Sequence, residues 1–188
     1  RERRGDVRTC GRRRNEGSGC FFFFSRRGRH TSLRRDWSSD VCSSDLANLR
    51  LTDRLLGDAA ADDCKMAVLP ENFALMPERS RDKVVHAEEP GSGPIQKFLS
   101  DAARRHGLWI IAGSMPLVAP EPEKVFGACP VYDADGIERA CYRKIHLFDV
   151  KLPDRDEAYQ ESWSMCAGTD PVTVDSPDRK STRLNSSH

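Results

Sequence analysis

Residues 36–46, DWSSDVCSSDL, and residues 178–188, DRKSTRLNSSH, can be encoded by a single piece of DNA, and this sets the limits of what the chain can fold into. If the first peptide is coded GAC TGG AGT TCA GAC GTG TGC TCT TCC GAT C, the reverse complement is GAT CGG AAG AGC ACA CGT CTG AAC TCC AGT C. That strand reads DRKSTRLNSS. Both peptides, and SRRGRHT at residues 25–31, resemble translations of a sequencing-library adapter. Segments of that origin are set aside before fold reasoning. Three segments are therefore expected: a non-native flank at 1–45, a native stretch at 46–177 and a second non-native flank at 178–188.

Charge divides the chain at the same places. Residues 46–177 hold 15 Lys and Arg against 22 Asp and Glu, whereas the flanks hold 15 against 7, so the overall net charge of +1 averages two unlike compositions. At face value the arginine-rich residues 1–35 would form a basic arm, since clustered arginines neutralise nucleic-acid phosphates. The adapter origin makes that the minor reading, which steep salt-dependent binding through residues 1–35 would reveal, and no nucleic-acid partner is expected. Phe21 to Phe24 form too short an apolar patch for a secretory core of about 7–15 residues. No run reaches the roughly 18 apolar residues of a membrane span, so no membrane association is expected.

The retained stretch, about 130 residues, is the size of one ordinary domain or part of a larger one. Its cysteines, Cys64, Cys129, Cys141 and Cys166, form no C-x-x-C pair and have no zinc-like spacing. Reduced thiols in a cytoplasmic protein are the simplest reading. His86, His106 and His146 are far apart in sequence, with no H-x-x-x-H face, and neither a metal nor a cofactor is expected.

The pattern along the stretch is readable. ANLRLTDRLLGDAAADD aligns Leu51, Leu55, Ala59 and Asp62, with Leu56 and Ala60 beside them, as an amphipathic helix. KMAVLP is a short apolar run stopped by Pro70, a buried strand. Residues 77–94 are polar and punctuated by Pro and Gly, and predict a loop. PIQKFLSDAARRHG places Ile95, Phe98, Leu99, Ala102 and Ala103 on one face, between Pro94 as a start signal and Gly107 as a stop. LWIIAGS predicts a further buried strand. Residues 125–145 predict a hairpin turning through Asp133 to Gly136. Helix, strand, helix, strand and hairpin in that order indicate an α/β architecture.

Three residues carry possible chemistry. Glu71 lies just beyond an apolar strand, where open α/β sheets present ligands, so it is a candidate general base or else an exposed loop glutamate. Lys144 follows the hairpin and is flanked by Ile145, Leu147 and Phe148. A desolvated cation there would stabilise an oxyanion strongly, while the plain alternative is an edge-strand lysine. Glu161, in YQESW, has little signal alone.

Taken together in order, LPENF, YRKIHLFD and the glutamate of QES resemble the carbon-nitrogen hydrolase (nitrilase) superfamily, in its Nit-type amidase branch. The resemblance covers essentially all of residues 46–177. It implies a partial nitrilase-like α-β-β-α sandwich, about half a domain, with Glu71 as general base, Lys144 as the oxyanion-stabilising cation and Glu161 as the glutamate orienting substrate or lysine. It also implies a small-molecule amide substrate of the ω-amidase or deaminated-glutathione-amidase kind, a cysteine nucleophile and, for the intact parent protein, a homo-oligomer. The family's nucleophile follows a segment like PVTVDSP, so here it would fall just after Pro177, where the second flank begins. Cys166 is the nearest alternative, but MCAGTD resembles the turn before that segment. The 188-residue chain is accordingly expected to be inactive, with two sheet edges unpaired and apolar helix faces lacking a second layer. Exposed edges of that kind favour aggregation. The competing reading is a non-catalytic binding module of the same fold for small molecules or proteins. GSGP at 91–94 lacks the context of a phosphate loop, and no G-x-S-x-G elbow occurs.

Overall fold

The structure, a computed structural model, describes residues 21–26, 29–34, 45–75, 82–151, 158–177 and 181–184. Two strands, β1 (Phe21–Arg26) and β2 (Arg29–Arg34), precede helix α1 (Asp45–Ala61). The buried row of α1 is Asn48, Thr52, Leu55, Leu56 and Ala59. Leu51, expected on that stripe, is only half-buried. The face is rotated toward two polar residues, and the Asn48 amide donates a 3.0 Å hydrogen bond to the Ala74 carbonyl, satisfying a buried backbone group.

Strand β3 (Met66–Val68) follows as expected. The region read as loop holds one helical turn, α2 (Asp82–Val85), while residues 76–81 lie outside the described set. It also holds a buried carboxylate that the pattern did not reveal. Glu88 accepts hydrogen bonds from the backbone N–H groups of Ile95 and Gln96 at 2.5 and 3.1 Å. It thereby caps helix α3 (Pro94–His106), whose own N-cap residue is Gly93. Gly107 ends α3 in the left-handed conformation, as the stop signal predicts. Ile95, Leu99, Ala102 and Ala103 are buried, with Phe98 packed at the margin.

Strand β4 (Trp109–Ile111) is followed by β5 (Met115–Val118), which the sequence pattern missed. Strands β6 (Val125–Tyr132) and β7 (Glu138–Arg143) form the expected hairpin. Asp133 organises its turn by accepting from the N–H groups of Asp135 and Ile137. A ribbon of β8 (Asp149–Lys151) and β9 (Ala158–Gln160) leads into a 3-10 turn, Glu161–Trp163. Strands β10 (Met165–Cys166), β11 (Val172–Asp175) and β12 (Ser181–Leu184) complete the described chain.

The main sheet runs β10-β6-β4-β3-β1-β2, with β5 and β7 also paired to β6. Strands β3 and β4 are parallel, joined through α3, so their carboxyl ends lie side by side. Alternate residues split between the faces, as the two-residue period of a strand requires. Ala67, Leu69, Ile110 and Ala112 meet the buried residues of α1 and α3, while Met66 and Ile111 join Cys129, Val131 and Tyr142 on the opposite face.

Two expectations are corrected. The sheet edge at β3 is paired, since Phe23 to Ser25 run antiparallel to Met66 to Val68, and β12 likewise pairs β11. An open edge offers a row of N–H and C=O groups to any extended segment, and a phenylalanine-rich run suits that role. The apolar helix faces are covered too, by the sheet itself. Of residues 1–35, considered above as a basic arm, only the backbone of β1 and β2 falls in the described set. Among the described residues no helix is long and apolar enough to cross a membrane.

Candidate active site

Pro70 ends β3 because it lacks a backbone N–H, and the chain turns sharply at Glu71 and Asn72. Asn72 takes a positive φ of 54°, a conformation that Asn tolerates better than most residues. This turn rests on the carboxyl end of the parallel neighbour. Gly113, with φ 61°, lies so close to the Leu69 and Pro70 carbonyls that a Cβ there would collide with the Pro70 oxygen. Ser114 Oγ then accepts a 2.9 Å hydrogen bond from the Asn72 N–H.

Lys144 is placed from the other side. As β7 ends, its N–H donates to the Gly127 carbonyl at 2.9 Å, and its carbonyl accepts from the Gly168 N–H at 2.8 Å. Gly168 approaches so closely that a Cβ would collide with the Arg143 carbonyl oxygen. The Ile145 N–H donates to the Tyr142 hydroxyl at 3.2 Å, fixing the turn beyond the lysine. Glu161 opens the 3-10 turn and exchanges backbone-level contacts with Phe148. The Phe148 N–H donates to Glu161 Oε2 at 2.8 Å, and the Glu161 N–H donates to the Phe148 carbonyl at 3.2 Å.

These elements bring the three candidate residues together. Lys144 Nζ lies 2.9 and 3.2 Å from the two Glu161 carboxylate oxygens and 3.7 Å from Glu71 Oε1. The lysine and Glu161 side chains are each 18% exposed, and that of Glu71 is 56% exposed. Burial pulls the Lys144 ammonium down, but the hydrogen bond to Glu161 and the charges of Glu71 and Glu161 outweigh it and hold its pKa above the usual lysine value. A proton on Lys144 is therefore secure at neutral pH, and the group acts as a fixed cation.

Two hollows meet at this cluster. A cavity of 140 Å³ is lined by Glu71, Gly113, Ser114, Cys129, Tyr142 and Lys144. A wider groove of 640 Å³ runs past Glu71, Lys144, His146, Phe148 and Glu161. Sequence reasoning missed Ser114, Tyr142, His146 and Phe148 as lining residues. A signal for Ser114 was present, because Gly-Ser directly follows a buried strand whose parallel partner ends at Glu71.

None of the four described cysteines has the character of an activated thiol. Burial, helped by the charge of Cys141, pushes the Cys129 thiol up to about 12, and burial with the charge of Glu138 pushes Cys141 up to about 11. Cys166 is raised by burial and by its contact with Glu121, and Cys64 is buried. A neutral thiol is a poor nucleophile. Among the described residues no group of His, Cys, Asp and Glu side chains could hold a metal ion.

Comparison with known proteins places this geometry in a family. The family model for carbon-nitrogen hydrolases matches residues 34–180, a span reaching beyond 46–177 at both ends. The chain is 35% identical over 114 residues to a deaminated glutathione amidase from Yersinia enterocolitica, covering 60% of this chain and 40% of that protein. It is 32% identical over 139 residues to the chloroplastic omega-amidase of Arabidopsis thaliana, covering 72% of this chain and 37% of that one. The chain thus spans well under half the length of these curated relatives. Its fold matches Saccharomyces cerevisiae Nit3, a member of branch 10 of the nitrilase superfamily, with a TM-score of 0.61 at 24% identity, covering 74% of this chain and 49% of that one. The chain belongs to the carbon-nitrogen hydrolase family.

Proposed function

We propose that residues 46–177 are the first part of an amidase domain whose intact form hydrolyses a carbon-nitrogen bond in a small linear amide, of the ω-amidase or deaminated-glutathione-amidase kind. The observation that carries this reading is the Lys144 ammonium held between Glu161 and Glu71 at the mouth of a small cavity. The nucleophile is a cysteine supplied from outside the described residues, since the raised thiols of Cys129, Cys141 and Cys166 do not suit the role.

Each residue has a physical task. Glu71, the more exposed carboxylate, accepts the thiol proton as the thiolate attacks the amide carbon. Lys144 stabilises the negative charge that develops on the amide oxygen, in a partly desolvated setting where a cation acts more strongly than in water. Glu161 keeps the ammonium in place. Glu71 then returns its proton to the departing ammonia or amine, deprotonates the water that attacks the thioester, and hands that second proton back to the cysteine thiolate as the acid leaves. The cycle closes with Glu71 ionised, and no cofactor takes part.

The test is ammonia release from glutaramate-type amides. The purified 188-residue chain is expected to release none, while the intact gene product turns over and loses about 100- to 1,000-fold in kcat on Lys144→Ala. Turnover by the 188-residue chain that vanishes in Lys144→Ala would overturn the assignment of the nucleophile. An intact protein indifferent to Lys144→Ala would overturn the amidase reading and favour a binding module.

A further inference from the structure

We propose that Ser114 is a positioning residue for Glu71, holding the carboxylate toward Lys144 through the backbone of Asn72. The inference rests on the amidase reading only for its functional meaning, because the hold itself is a matter of geometry.

Buried Pro70 and Phe73 anchor the turn on either side, but Glu71 itself stands out from it. Pro70 offers no N–H, the Glu71 side chain is 56% exposed, and its ion pair among the described residues is the 3.7 Å contact to Lys144. Asn72 stands in the left-handed region, which is sterically unfavourable for residues with a Cβ. Such a conformation persists only where the surroundings over-determine it. Two neighbours do so here. Gly113 lets the Pro70 carbonyl pack directly on the backbone after β4, and Ser114 Oγ accepts the Asn72 N–H at 2.9 Å. If that acceptor is removed, the N–H loses its partner inside a packed turn, and the turn is free to relax outward with Glu71 on it. Ser114 also lines the 140 Å³ cavity together with Glu71, Cys129, Tyr142 and Lys144.

The test reads the Lys144 ammonium, which contacts Glu71 and Glu161 and shares its cavity with Cys129 and Tyr142, in the 188-residue chain with ¹³C-labelled lysine. The Cε signal is assigned by its loss in Lys144→Arg. The expected result is that Ser114→Ala lowers the Lys144 pKa by most of the drop seen in Glu71→Gln, that the double variant falls no further than Glu71→Gln, and that Ser114→Thr, which keeps the hydroxyl, titrates like the starting protein. A wild-type titration in Ser114→Ala would overturn the proposal, and so would fully additive effects in the double variant. Failure of the amidase reading shows elsewhere, as an intact enzyme whose kcat survives Glu71→Gln, and it leaves this titration unchanged.

Discussion

Two glutamates face one lysine from different regions of the molecule, and they are held in opposite ways. Glu161, at the start of the 3-10 turn, places both oxygens on Lys144 and accepts the Phe148 N–H as well, with its side chain 18% exposed. Glu71, on the turn after β3, reaches the same ammonium with one oxygen at 3.7 Å and is 56% exposed. A carboxylate engaged by two hydrogen bonds and a close ion pair is poorly placed to trade protons, whereas a loosely held one near a cavity is well placed. The difference is what the proposed division of labour requires, in which Glu161 fixes the cation and Glu71 moves the proton.

The strongest way to break this comparison is to disturb the side that is fixed. Gly168→Ala places a Cβ against the Arg143 carbonyl, so the 143–144 backbone must shift. Overpacking of this kind costs roughly 1–3 kcal/mol, and a urea titration should show the loss together with a displaced Lys144 signal. A folded variant with unchanged stability would mean that this turn does not hold the lysine.

A smaller effect sharpens the electrostatics. The folded-state pKa of Lys144 lies above its ordinary value, so the folded protein binds that proton more tightly than the unfolded chain does. The contribution is fully present below about pH 10.4 and is lost as pH rises through the folded value. The stability difference between the starting protein and Lys144→Met should therefore be flat from neutral pH to that point and shrink above it. A difference that grows with pH would contradict the pairing.

The smallest effect concerns Cys129, which shares the cavity but not the chemistry. Burial pushes its thiol up to about 12, so little thiolate forms at neutral pH, and iodoacetamide should label it only after denaturation. Rapid native labelling would make Cys129 a candidate nucleophile and recast the role of Glu71.

How far these features could be read in the sequence depended on how local their causes are. Helix α3 was legible from end to end, because Pro94, Gly107 and the apolar spacing of Ile95, Leu99, Ala102 and Ala103 act within one element. The face of α1 was read slightly off, since its rotation is set by the Asn48 bond to Ala74, a contact 26 residues away. Strand β5 was missed because MPLV is only four residues long and holds a proline, and because one of its pairings is to Glu88, 29 residues before Leu117, although the other is to the neighbouring β6. Glu71 and Lys144 were singled out by their places after a strand and a hairpin, each with a plain alternative, and Glu161 had little signal alone; the family resemblance joined the three. Their meeting depends on three separate elements, and the supporting residues Gly113, Ser114 and Gly168 show their purpose only when β3 and β4 are seen in parallel and the 167–168 turn is seen against β7.

The most direct measurement of the division of labour is the Lys144 pKa in Glu161→Gln and in Glu71→Gln, read side by side by NMR with the starting protein. The expected result is a larger fall in Glu161→Gln, where a hydrogen-bonded charge is lost, than in Glu71→Gln. A fall in Glu71→Gln that equals or exceeds it would show that Glu71 is the residue that holds the lysine, and would contradict its assignment as the mobile proton carrier.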